Sequence, residues 1–290
     1  MIKAMRSGCS APAQETKGAA EWMKLHRPET RILGIVGGLG PETGCIFCLN
    51  INIKFKAKTG SQPHLILDNL PITGESEGRL IRGGASGEHF RLLEESIALF
   101  NKVEVDLIAI PCNTVHVFLP ELRHISAVPI LSILEETAKE CKKLGLKKVG
   151  LLASTKTVRE KLHENELGKT GIEVILPDGE EQEFVSGCIV RIINRETKKD
   201  DGQMMLGIIK NLEKKGAEGI VLGCTDLPLL VSKLDMGLPV VNTTAVLEDA
   251  AVGFLLGQGR DGWPRLGRQD AERTAEARKT KPEVGKWGMI

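Results

Sequence analysis

The sequence lacks a dominant charge, a long apolar run and an even set of cysteines, and each absence excludes something. Its 290 residues carry a formal charge of +1 with 27% charged side chains, so no global field draws the chain to nucleic acid or to an anionic membrane. No apolar stretch reaches the length of a bilayer span, so no membrane partner is expected. Residues 1–30 hold short basic patches but no continuous apolar segment, which argues against a secretory signal. Glu15, Glu21 and Glu29 argue against a mitochondrial transit peptide. The seven cysteines, at 9, 45, 48, 112, 141, 188 and 224, are odd in number and scattered, a pattern that suits a reducing compartment better than a disulfide framework. A cytoplasmic protein with free thiols is the expectation.

What is present is a regular alternation. Residues 1–30 mix Ser, Pro, Gly, Ala and charge without periodicity and read as a flexible arm. Buried-strand patterns then occur at 31–36, 64–68, 106–110, 128–131, 147–152, 171–175, 219–222 and 239–241. Helical patterns fall between them, among them one with Leu93, Ile97 and Phe100 on a single face, one ending at the glycine cap Gly145 and one near 157–164. Pro41 suits a first helical turn. The stretch 73–87 is glycine-rich. The highly charged residues 258–290 read as a disordered, solvated tail. Strands alternating with helices predict an α/β protein of parallel βαβ units, too long for one small sheet and so divided into two doubly wound domains. The first is expected to comprise 31–131 plus 243–257, and the second 132–242.

Two segments match in context. Ile108-Ala-Ile-Pro-Cys112-Asn-Thr114 and Ile220-Val-Leu-Gly-Cys224-Thr-Asp226 each run from an apolar strand through Pro or Gly to a cysteine, then to small polar residues that open a helix. Parallel α/β sheets gather their ligands at the carboxyl ends of the strands. A cysteine there faces unpaired N–H groups that favour the thiolate. Asn113, Thr114 and Thr225 offer donors for an anionic group. A lone cysteine at a strand end is more often a packing residue, but two in matching places can face each other across a cleft. Opposed thiols suit racemisation at a carbon acid: one removes the α-proton and the other returns a proton to the opposite face. Two neighbouring thiolates repel, so the pair naturally carries one proton. His116, four residues after Cys112, reads either as an auxiliary to the thiol or as a satisfied structural histidine.

Other motifs carry less. Gly37-Gly38-Leu39-Gly40 follows a strand, but the next glycine, Gly44, misses the dinucleotide-binding spacing by one residue. The loop suits backbone approach to a carboxylate equally well, and a nucleotide-binding Rossmann-like module remains the non-catalytic alternative. Cys45-Ile-Phe-Cys48 has CxxC spacing inside an apolar helical face, without a second pair, and reads as core packing rather than a zinc or redox site. No lysine sits in a recognisable pyridoxal phosphate setting.

These residues resemble the aspartate/glutamate racemase family from about Ile32 to Leu256. The markers are Gly37-Gly-Leu-Gly-Pro41, similar to the family's G-G-M-G-P; Gln62-Pro-His64, similar to Q-x-H; Pro111-Cys-Asn-Thr-Val-His116, similar to P-C-N-T-x-H; Leu151-Leu-Ala-Ser-Thr-Lys-Thr157, similar to L-L-A-T-x-x-T; and Gly223-Cys-Thr-Asp226, similar to G-C-T-E. The resemblance implies two pseudosymmetric Rossmann-like domains with parallel sheets and an active-site cleft between them, no cofactor and no metal, a small amino-acid substrate, and a homodimer. It assigns Cys112 and Cys224 as paired acid and base. It makes Gln62, Asn113, Thr114, Thr157, Thr225 and the Leu39 loop substrate contacts, with Asp226 as an auxiliary residue. The implied activity is aspartate or glutamate racemisation, with a related isomerase or a racemase of a non-acidic amino acid as alternatives. Decarboxylases of this superfamily tend to keep one cysteine, whereas cis–trans isomerases can keep both. Three departures stand out. The family's P-D-R segment, whose arginine serves a side-chain carboxylate, is replaced by Leu70-Pro-Ile-Thr-Gly-Glu-Ser76, with Arg79 and Arg82 displaced. A tyrosine and a lysine of some members fall near Ile189 and Ile193, and the chain contains no tyrosine at all. Asp226 stands in place of the usual glutamate.

Overall fold

The computed structural model describes residues 31–40, 42–232 and 234–258. The expected arm at 1–30, the helix-opening Pro41 and the tail after 258 lie outside the described residues. Eight strands form two four-stranded parallel sheets, β1 (Ile32–Gly37), β2 (His64–Asn69), β3 (Leu107–Ala109) and β4 (Ile130–Leu131) in one, and β5 (Lys148–Ala153), β6 (Glu173–Ile175), β7 (Gly219–Gly223) and β8 (Val240–Asn242) in the other. Their orders, β2-β1-β3-β4 and β6-β5-β7-β8, follow the same rule: the second strand lies outside the first, and the third and fourth on its other side. Every residue of β1 and β7 is buried, as the near-continuous apolar runs of covered parallel strands require.

The helices supply that cover. In the first half they are α1 (Thr43–Thr59), α2 (Gly74–Ile81), α3 (Gly87–Val103), a 3-10 turn at Thr114–Phe118 and α4 (Leu119–Ile125). In the second they are α5 (Ile133–Lys143), α6 (Thr155–Arg159), α7 (Leu162–Gly168), α8 (Gly179–Ile193), α9 (Asp201–Lys214) and α10 (Leu227–Val231), and α11 (Thr243–Leu255) closes the series. Local chemistry starts several of them. Asp178 and Glu181 form a reciprocal capping box at α8, and the Ser132 and Thr73 hydroxyls accept from Glu135 and Ser76 N–H at α5 and α2. Leu93, Ile97 and Phe100 are fully buried under the first sheet. Leu247, Ala251, Val252 and Leu255 of α11 return to that sheet's other face, beside Leu33, Ile35, Phe47 and Ile51.

Within the glycine-rich stretch 73–87, Thr73 caps the eight-residue helix α2. Two expectations need revising. The helix expected at 157–164 is two short helices, broken where Lys161 takes a left-handed conformation (φ 52°). Cys45 is not a core residue: it is exposed, while Cys48 is half-buried against the α1 core cluster, so the CxxC spacing puts only one thiol inward. Among the described residues, no helix is long and apolar enough to cross a membrane.

Candidate active site

Both cysteines lie beyond the third strand of their sheet, Cys112 after β3 and Cys224 immediately after β7, at the carboxyl ends. They line one cleft with Leu39, Asn113, Thr114, Thr225 and Asp226, and with Glu77, Leu80, Ile81, His89 and Ile193. The space between these side chains, open in part to solvent, is about 360 Å³.

Each sulfur meets the backbone of the turn it opens. The N–H groups of Val115 and Thr114 donate to Cys112, and the N–H of Asp226 donates to Cys224. These donors favour thiolate, but burial outweighs them: it pushes the Cys112 thiol up to about 12 and Cys224 well above its ordinary range. The carboxyl groups move the same way. Burial raises Asp226 to about 6, with the Thr43 hydroxyl and the Cys224 thiol partly opposing the shift, and burial plus the nearby Asp226 charge raises Glu77 to about 8. Asp226 accepts from Thr43 Oγ1 at 2.7 Å and lies 3.8 Å from Cys224 Sγ through its other oxygen. Every acid in the cleft is thus shifted toward its neutral form, Glu77 far enough to hold its proton at pH 7 and Asp226 not.

The flanking polar residues tie the two halves together. Asn113 Nδ2 donates to Thr243 Oγ1 (3.1 Å), Asn113 Oδ1 lies 2.9 Å from His163 Nε2, and Thr243 Oγ1 donates to the Leu222 carbonyl (2.8 Å). The Asn113 side chain is thus held at both its nitrogen and its oxygen within the protein. Thr114 Oγ1 sits 2.9 Å from Ser154 Oγ and 3.1 Å from Thr157 Oγ1.

The glycine loop after β1 serves this site directly. Gly40, at φ +101°, donates its N–H to the Glu77 carboxyl, and a Cβ there would come within 3.0 Å of Asp226 Oδ1 and Thr43 Oγ1. A Cβ on Gly44 would lie 2.6 Å from Gly37 Cα, so α1 packs this closely against β1 only because residue 44 is glycine. The loop approaches carboxyl groups of the protein itself.

Seven of the ten residues singled out in the sequence line the cleft: Leu39, Cys112, Asn113, Thr114, Cys224, Thr225 and Asp226. Three do not. Thr157 is fully buried behind Thr114, which it holds. His116 faces away: its Nε2 accepts from Ile133 N–H at 3.2 Å, so its Nδ1 carries the proton donated to the Cys112 carbonyl at 2.7 Å. Burial lowers its pKa to about 4, and it acts as a neutral brace for the backbone. Gln62 is exposed before the amino end of β2, the end of the sheet opposite the cleft. Glu77 and His89 were missed. The N-cap Thr73 ahead of two acids signalled the helix that carries Glu77. A histidine on the buried stripe with Leu92, Leu93 and Ser96 marked the other.

Residues 36–251 match the family model described as Asp/Glu/hydantoin racemase. The "Broad specificity amino-acid racemase RacX" of Bacillus subtilis is 25% identical over 230 residues, covering 78% of this chain and 98% of that protein. The structure of a candidate Asp/Glu racemase from Yersinia pestis is 30% identical with a TM-score of 0.69, over 78% of this chain and 99% of that one. The aspartate racemase of Picrophilus torridus, at 23% identity and TM-score 0.66, covers 79% and 95% and shares the fold. The chain belongs to the Asp/Glu/hydantoin racemase family, as an amino-acid racemase.

Proposed function

We propose that the enzyme inverts the α-carbon of a free amino acid by a two-base exchange between Cys112 and Cys224. The observation that carries this is the placement of both thiols in one small cleft, each at the equivalent strand end of a sheet of the same order and each met by backbone N–H donors. In the empty cleft both sulfurs favour the thiol. A bound amino acid brings an ammonium group, which favours loss of one thiol proton, and mutual repulsion keeps the second sulfur protonated. The thiolate takes the α-proton from one face, negative charge spreads onto the substrate carboxylate, and the opposite thiol delivers its proton to the other face. The backbone at Asn113 and the Thr225 hydroxyl stand beside the sulfurs to stabilise that charge. Asp226, 3.8 Å from Cys224 Sγ, orients that thiol.

The family name puts aspartate and glutamate first among substrates, whereas the Bacillus relative is named for broad specificity. The cleft lining favours the wider range. We also propose a cytoplasmic enzyme, supported by the six free thiols at described positions, and a homodimer. Cys45, Leu49 and Ile53 form an exposed i, i+4, i+8 stripe on α1, with Leu49 57% and Ile53 58% exposed, which supports the latter. The domain division at 131/132, with 243–257 returning to the first unit, stands as a proposal supported by the packing of α11 on the β1 sheet.

Replacing Cys112 or Cys224 separately by alanine tests the scheme. Each variant is expected to lose racemisation while one retains one-sided exchange of the α-proton. Near-normal turnover by either variant contradicts two-base chemistry.

A further inference from the structure

Helix α2 directs Glu77, Leu80 and Ile81 into the cleft at i, i+3 and i+4. The arginines that follow Glu77 turn away: Arg79 is 61% exposed and pairs with Glu75, and Arg82 is exposed. Among the described residues that line the cleft there is no lysine or arginine, while two carboxyl groups, Glu77 and Asp226, are present. His89, from α3, is fully buried and lines the same cleft. Neither of its ring nitrogens has a hydrogen-bond partner among the described residues. Burial lowers its pKa, so the ring is neutral, with one donor and one acceptor to offer.

We infer that this cleft takes an amino acid whose side chain donates hydrogen bonds and bears no carboxylate, and that Glu77, assisted by His89, receives it. The inference rests on the racemase reading above and names its substrate class. Asp226, next to Cys224, is the anion nearest the reacting carbon and suits the α-ammonium. Glu77 stands instead with Leu39, Leu80, Ile81, Ile193 and His89, a mainly apolar wall with two polar groups, which is the surrounding a side chain meets. A substrate with a side-chain carboxylate would bring that charge, beside its own α-carboxylate, into a buried site that offers no cation and already holds Asp226. Desolvation and like-charge repulsion both oppose that. A hydroxyl, amide or ammonium faces no such penalty, since a carboxyl oxygen of Glu77 accepts its hydrogen and His89 supplies a second contact.

The test is kcat/KM for racemisation of alanine, serine, asparagine, lysine, aspartate and glutamate by the whole chain, by Glu77→Leu, which removes the acceptor, and by Glu77→Gln, which has the shape of the protonated acid and keeps one. The donor-bearing substrates are expected to exceed the two acids by about tenfold or more. Glu77→Leu is expected to lower kcat/KM for them about fivefold more than for alanine, the scale of a lost hydrogen bond, with Glu77→Gln close to the wild type. Preference of the wild type for aspartate or glutamate overturns the inference and leaves the racemase reading intact. An equal fall for alanine and serine in Glu77→Leu overturns the assignment of Glu77. No exchange with any amino acid overturns the racemase reading itself.

Discussion

Asn113 Nδ2 donates to Thr243 Oγ1 over 3.1 Å, joining the residue beside one cysteine to the helix that returns from the second sheet. Because Thr243 in turn donates to the carbonyl of Leu222, two residues before the other cysteine, the positions of both sulfurs depend on this chain of bonds. Asn113→Ala takes the donor away from the buried Thr243 hydroxyl, which keeps its bond to Leu222, and leaves His163 Nε2 without its partner. It is expected to lower stability by about 1–3 kcal/mol, read as a fall in Tm, with kcat reduced more than KM.

The raised pKa of Glu77 makes stability depend on pH in a definite direction. Its folded value of about 8 lies above the ordinary 4.5. Between those values the folded state holds a proton that the unfolded chain has lost, so stability falls as pH rises from about 4.5 to 8. Glu77→Gln removes this term. Thermal unfolding from pH 5 to 8.5 is expected to show a shallower decline for the variant than for the wild type, and identical slopes would remove Glu77 as the source.

Thiol reactivity follows burial. Cys45 is exposed, whereas Cys112 and Cys224 are held as thiols by their surroundings. Iodoacetamide at pH 8 is expected to label Cys45 first with little loss of activity. Inactivation then follows the slower labelling of Cys112 and Cys224, and a bound substrate slows it. Peptide mass spectrometry over time reads the order directly.

His116→Ala removes the acceptor for Ile133 N–H and the donor to the Cys112 carbonyl. A loss of about 2–4 kcal/mol in stability is expected from the cavity and the unpaired groups. The pH–rate profile should keep its shape, because His116, at about 4, is neutral throughout the working range. A new break in that profile would assign it a proton-transfer role.

Much of this was legible in the sequence for a physical reason. Parallel strands covered on both faces must be apolar throughout, so β1, β5 and β7 announce themselves, and each cysteine could be placed at a strand end from local pattern alone. What stayed hidden depends on short or distant relations. Two glycines in eight residues masked α2, and with it Glu77. The pairing of Asn113 with Thr243, 130 residues apart, has no local signature. Gln62 was misplaced because a motif match does not say at which end of its strand a residue stands. The role of His116 turned on where its two nitrogens point, which sequence spacing does not encode.

The central claim, two opposed cysteines acting on opposite faces, is tested most directly by proton NMR of reduced enzyme with an L-amino acid in D₂O, with chiral analysis early in the reaction. The account predicts deuterium at the α-carbon of the D-product while the remaining L-substrate keeps its proton, because the returning proton comes from a second thiol that has equilibrated with solvent. Deuterium entering recovered L-substrate as fast as it enters the D-product would contradict it, placing both transfers on a single base.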